Sequence, residues 1–152
     1  ELHWENVPEY LSKVKASAFR EELKADEVLI TADTVVCIHD RILGKPADRK
    51  EAISMLQELS GNRHLVVTGV SVTTRTEQLS FSSRTDVFFK RLSNEEIEFY
   101  VDTYKPFDKA GAYGIQEWIG YIGIERIEGS FYNVMGLPIQ KLYETLRKLQ
   151  FQ

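Results

Sequence analysis

Residues 27–46 read "EVLITADTVVCIHDRILGKP", and the fold turns on how this stretch is taken. Val28, Leu29, Ile30, Val35 and Val36 are strand formers, so it reads as one strand, or two joined by a turn. Asp33 interrupts them. Aspartate is depleted in strands, and a buried carboxylate is costly unless a cation or hydrogen-bond donors meet it. Two accounts stand open. Either "ADT" is a turn in which the carboxylate bonds nearby backbone, or Asp33 ends a strand as a carboxylate that holds a divalent cation and orients or deprotonates a water.

On the N-terminal side, "VPEYLSKVKASAFREEL" (residues 7–23) has Pro8 suited to a first helical position and Leu11, Val14, Ala18 and Phe19 at helical spacing, which predicts an amphipathic helix. Lys15 falls four residues from both Leu11 and Phe19, on the apolar face. Its alkyl stem either snorkels toward water or aims the ammonium into a site. On the C-terminal side, "ILGKP" invites comparison with a phosphate-binding P-loop, but His39 stands where the first glycine belongs and Pro46 where Ser or Thr belongs. Lys45 is then either a surface lysine after a glycine turn or a phosphate point charge without a P-loop.

Farther out, "DRKEAISMLQELSG" (48–61) predicts a helix opened by Asp48 with Glu51 three residues on and stopped at Gly61. The β-rich runs 63–75 and 79–92, separated by the polar "TRTEQ", predict an antiparallel pair. "SNEEIEFYVDTYKP" (93–106) carries a Ser93/Glu96 capping box, an apolar face of Ile97, Tyr100, Val101 and Tyr104, and Pro106 as terminator. A glycine-rich segment, 108–138, follows with no element assigned to it. Its Gly111, Gly114 and Gly120 allow backbone close to a ligand, and the Gln116 amide both donates and accepts, as reading a base edge requires; loose loop structure explains the spacing equally well. "NVMGLP" (133–138) brings Gly136 and Pro138 to the N-terminus of a last helix with a stripe of Ile139, Leu142, Leu146 and Leu149, where they either attract an anion or merely start the helix. Mixed α/β with antiparallel elements is the expected class.

The whole chain, 152 residues with 43% hydrophobic and 28% charged, suits one globular domain. No apolar run is long enough to span a bilayer and "ELHWENVPEY" is unlike a signal peptide, which points to the cytoplasm and away from a membrane partner. With 19 basic against 23 acidic residues the net charge is −4, which argues against a nucleic-acid partner while leaving room for lysines to converge on one polyphosphate. Cys37 stands alone and is expected to fill core space. His3, His39 and His64 have no ligand spacing for zinc, and no nucleophile elbow is present.

Taken in order, "ADTVV", "LGKP", "TGV", "LSNEEIEFYVDT", "DKAGAYGIQ" and "IEGSFYNVMGLPI" resemble the Maf family of nucleoside triphosphate pyrophosphatases, also called septum formation inhibitor proteins. The match runs from about Pro8 to the C-terminal helix. The resemblance implies an α/β fold related to the inosine triphosphatase-like enzymes, with a twisted mixed sheet flanked by helices and a deep cleft between two lobes. It implies hydrolysis of a nucleoside triphosphate to the monophosphate and pyrophosphate with Mg²⁺ or Mn²⁺, and a homodimer as the assembly. By position, Asp33 is similar to the family's proton acceptor and metal-site carboxylate, and Lys15 and Lys45 to its phosphate-binding lysines. Thr34 and Gln116 are similar to its specificity residues, a pairing that resembles the dTTP- and UTP-preferring subgroup. Lys109 is left open between phosphate binding and a structural role. The family's Ser-x-Ser-Pro-Arg-Arg signature does not occur here, so the expectation for residues 1–152 is one N-terminally incomplete Maf-like domain with apolar surface and a strand edge exposed. The rival expectation is a silent nucleotide-binding or cell-division regulatory protein.

Overall fold

In a computed structural model, described over residues 3–149, the opening stretch is two strands, β1 (Leu29–Ile38) and β2 (Arg41–Leu43). His39 and Asp40 between them both have positive φ, the sense that a two-residue hairpin turn needs. Asp33 and Thr34 lie in mid-strand, opposite Gly69 and Thr68 of β3 (Arg63–Thr73). The turn account of "ADT" therefore falls, and so does the placement of Asp33 at a strand end. β3 pairs with β4 (Gln78–Phe89), as the two β-rich runs predict, and β4 with β5 (Ile124–Glu128). The order is β2-β1-β3-β4-β5. Where the resemblance implies a mixed sheet, the described strands pair antiparallel throughout.

One sheet face carries Val36, Ile38, Val66, Val87 and Phe89, packed against Ala52, Leu56 and Leu59 of α2 (Arg49–Leu59) and Ile97, Tyr100 and Val101 of α3 (Asn94–Tyr104). Both helices start as their sequences require. Asp48 accepts from the Glu51 amide, and Ser93 and Glu96 close a capping box. Farther along the same face, Val70 and Val72 meet Leu142, Leu146 and Leu149 at the end of the chain, the first two of these three on α6 (Ile139–Arg147). Ile139, expected in that stripe, is exposed. Cys37 is buried as expected, and burial pushes its thiol up to about 12.

α1 (Val7–Ser17) covers the opposite face, and its packing differs from the predicted stripe. Its buried residues are Pro8, Ser12 and Ala16, whereas Val14 and Phe19 are exposed and the helix stops at Ser17. The reason is close approach. A Cβ on Gly69 would stand 2.1 Å from the Glu9 nitrogen, so the helix lies almost on the β3 backbone and only small side chains fit between. Ser12 Oγ meets Ser71 Oγ at 2.7 Å, and Thr31 donates to the Ser12 carbonyl at 2.7 Å.

The glycine-rich segment, to which the sequence assigns no element, is partly regular. It holds α4 (Trp118–Gly123), β5 and α5 (Phe131–Met135). β5 forms because Ile127 pairs opposite Val87 of β4, a partner forty residues away whose influence no local pattern carries. Among the described residues no helix is long and apolar enough to cross a membrane.

Candidate active site

β2 pairs with β1 only from Val36 to Ile38, while β3 pairs with β1 from Leu29 to Cys37. Before Val36, one edge of β1 is therefore open among the described residues, and a cleft of ≈ 340 Å³ lies there. Asp33, Thr34, Lys45, Lys109, Gln116 and Gly136 are among its lining residues. Successive strand residues point to opposite faces, which separates the roles of two neighbours. Asp33 turns toward α1. Thr34 turns toward α5, where its hydroxyl pairs with Thr68 Oγ1 at 2.9 Å.

Lys15 arrives from α1. Its ammonium donates to Asp33 Oδ1 and to the Ala32 carbonyl, each at 3.0 Å. The side chain is 51% exposed, so the snorkelling stem and the aimed charge are one arrangement: the stem leaves the helix beside Ala16 and the head closes on Asp33. Lys15 itself is not among the residues that line the cleft. Lys45 follows β2 at the cleft wall, placed by the Gly111 amide donating to the Gly44 carbonyl at 3.1 Å. Predicted residues from three places thus line one opening, Asp33 and Thr34 from β1, Lys45 from the turn after β2 and Gln116 from the loop before α4, with Lys15 of α1 reaching it through Asp33.

Two further charged residues line the cleft. Lys109 contacts Asp108 at 3.2 Å and Glu117 at 3.7 Å. The hydrogen bond from Lys109 holds the Asp108 carboxyl below its usual range, with Lys45 adding to the effect. Sequence reasoning left Lys109 open and passed over Asp108, which adjoins it in "DKAGAYG". Behind Lys109, Glu117 accepts from the buried Tyr100 hydroxyl at 2.8 Å, and that hydroxyl accepts from the Gly114 amide at 3.1 Å. Tyr113 lines the cleft with its hydroxyl 2.6 Å from His64 Nε2. Burial holds His64 neutral, its pKa lowered to about 3, and raises Tyr113 above the usual phenol range.

Under the far wall, Asn133 is fully buried on α5. The two protons of its side-chain amide are shared among three acceptors, the carbonyls of Val66 and Ser83, each at 3.2 Å, and Thr85 Oγ1 at 2.9 Å. "NVMGLP" is therefore a strapped wall that also leads into a helix as expected: Gly136, with φ of +119°, ends α5 and α6 begins after Pro138. The sequence signal for this was a polar residue, Thr68, set between Val66 and Val70 on one face of β3.

The comparisons with known proteins agree with one another. A family model described as "Maf-like protein" matches residues 2–149. A "dTTP/UTP pyrophosphatase" of Bacteroides thetaiotaomicron is 58% identical over 143 residues, covering 94% of this chain and 74% of that protein. A protein of the same name from Porphyromonas gingivalis W83 is 57% identical over 148 residues, covering 96% and 74%. One from Parabacteroides distasonis is 55% identical over 141 residues, covering 93% and 73%.

Proposed function

The chain belongs to the Maf-like family, and from that membership we propose that it hydrolyses nucleoside triphosphates, dTTP and UTP foremost, to the monophosphate and pyrophosphate. The observation that carries the proposal is the Lys15–Asp33 ion pair, closed at 3.0 Å at the edge of a cleft that Asp33 shares with Lys45. An ion pair this exposed contributes about 0–1 kcal/mol to stability. A triphosphate, with several negative oxygens, competes for the lysine at little cost.

In this scheme Lys45 and Lys15 bind phosphate oxygens and Lys109 adds charge nearby. Freed from Lys15, the Asp33 carboxylate takes a proton from the water that attacks the α-phosphorus, and pyrophosphate leaves. Phosphoryl chemistry asks for little beyond positioning and charge. Thr34 and Gln116 meet the base. Mg²⁺ or Mn²⁺ is the expected cofactor. No group of three or more His, Cys, Asp or Glu able to hold a metal occurs among the described residues. That fits an ion taking one or two protein carboxylates and completing its shell with phosphate and water. Asp33 would hold it, and when bound it supplies neutralisation of phosphate charge. A cytoplasmic nucleotide pool and a homodimer go with this proposal.

Pyrophosphate release from dTTP and UTP tests it. Wild type should release it, and Asp33→Asn should lose about 10²–10⁴-fold in kcat, the range for a positioned general base. Equal rates in the two proteins would remove Asp33 from the reaction, and binding of dTTP with no release by wild type would leave a nucleotide-binding protein.

A further inference from the structure

Besides buried His64, the sheet face under the cleft carries one patch of hydroxyls. Thr34, Thr68 and Ser83 stand side by side across β1, β3 and β4, with Thr85 next to them. They separate the cluster around Val36 and Val66 from the cluster around Val70 and Ala32. Thr68 has no solvent exposure. A buried hydroxyl without partners is costly, and its partners are limited. Thr34 Oγ1 lies at 2.9 Å and the Asn133 carbonyl at 3.4 Å. Thr34 has a corresponding second acceptor, the Gly136 carbonyl at 3.4 Å. Asn133 is held through its side-chain bonds to β3 and β4, and the Gly136 amide donates to the Asn133 carbonyl at 3.0 Å.

A hydroxyl has one proton and two lone pairs. If Thr34 donates to Thr68, Thr68 has the Asn133 carbonyl to receive its own proton. If Thr68 donates to Thr34, Thr34 has the Gly136 carbonyl. In both senses the Thr34 proton finds an acceptor inside the protein, and what Thr34 presents to the cleft is oxygen lone pair.

We infer that Thr68 is a positioning residue that fixes Thr34 as a hydrogen-bond acceptor toward the cleft, so that the site selects a pyrimidine carrying N–H at ring N3 over one whose N3 is itself an acceptor. Uracil and thymine meet that condition and cytosine does not. Two acceptors facing each other leave both unpaired, and an unpaired buried polar group is what makes such sites discriminate. Nothing else in the proposed reaction uses Thr68. The inference rests on the proposal that Thr34 meets the base, and it adds the atom that is read and the residue that sets the polarity.

The test compares wild type, Thr68→Val and Thr68→Ser as full chains. Affinities for the α,β-methylene analogues of UTP and CTP are measured by titration calorimetry, beside pyrophosphate release from UTP and CTP. Wild type should prefer the uridine analogue. Thr68→Val, which leaves the Thr34 proton only the long 3.4 Å contact to the Gly136 carbonyl and so lets it turn outward, should lower the uridine-to-cytidine ratio about tenfold, equivalent to about 1.4 kcal/mol, and Thr68→Ser should keep the wild-type ratio. Thr68→Ala is a second hydroxyl-free variant read in the same way should the valine variant fold poorly. An unchanged ratio in the folded hydroxyl-free variants overturns the inference, as does a serine variant that behaves like them or a wild type that binds the two analogues equally. Uridine-selective binding that collapses in Thr68→Val without any pyrophosphate release would sustain the inference and sink the hydrolysis proposal. Release with an unmoved ratio would do the reverse, and no binding of either analogue would overturn both.

Discussion

Gly69→Ala tests whether the seating of α1 on the sheet sets the site. The new Cβ would lie 2.1 Å from the Glu9 nitrogen, 2.3 Å from its Cα and 2.3 Å from the Pro8 carbonyl carbon. All three are backbone atoms of the first helical turn, so no side chain is able to swing away. Ordinary carbon contacts begin near 3.5 Å, and the helix must retreat by more than ~1 Å. Overpacking of this kind costs about 1–3 kcal/mol, and a contact made wholly with backbone belongs at the upper end. Loss of glycine entropy from the unfolded chain returns about 0.4–1 kcal/mol, leaving roughly 2 kcal/mol of destabilisation, or about 4–8 °C in Tm for a chain of this length. The consequence for activity follows from register. Gly69 is the β3 partner of Asp33, and Lys15 rides on the helix that would move. A misplacement of about 1 Å is able to cost 10²-fold in rate, so kcat/KM for dTTP should fall by about that factor. Thermal melts followed by circular dichroism and a pyrophosphate-release assay give both numbers. If the loss runs through Lys15, then Gly69→Ala combined with Lys15→Ala should lose no more activity than the worse single variant. An unshifted Tm with full activity would refute the packing argument, and additive losses in the double variant would refute its link to Lys15.

Two other outcomes follow from buried groups. His64 is lowered by burial to about 3 in the folded chain against an ordinary 6.5, so between those values the unfolded chain binds the extra proton and stability rises with pH; at pH 5 the folded state should have lost about 2 kcal/mol relative to pH 7. Urea unfolding at the two pH values checks this, and a loss of the same size in His64→Gln would assign the pH dependence elsewhere. Tyr100→Phe removes the acceptor of the Gly114 amide and the donor to Glu117, which should destabilise by about 1–3 kcal/mol in the same assay; a neutral result would mean that the 109–117 wall does not depend on this hydroxyl.

The helices and the central hairpin were legible because local chemistry announces them. Asp48 and the Ser93/Glu96 box mark helix starts wherever they occur, and the alternating apolar residues of β3 and β4 need a sheet to hide them. β5 and α5 escaped because "IERIE" and "SFYNVM" are short and draw their stability from partners far away in the chain. The α1 stripe misled for a related reason. Leu11, Val14 and Phe19 have the right spacing for a core face, yet the surface they would meet is set by a glycine on another element, and only small residues fit against it.

By itself the sequence determined which chemical groups the protein has to work with: Asp33 in a run of strand formers, lysines at 15 and 45, an amide at 116, and a block pattern that named the family. Tertiary structure decided that these groups share one opening, because β2 stops short along β1 and Gly69 lets α1 bring Lys15 down onto Asp33. It also decided which way Thr34 faces and what stands behind it. Such facts depend on the register between strands and on the distance between layers, and neither quantity is encoded in any one stretch of chain.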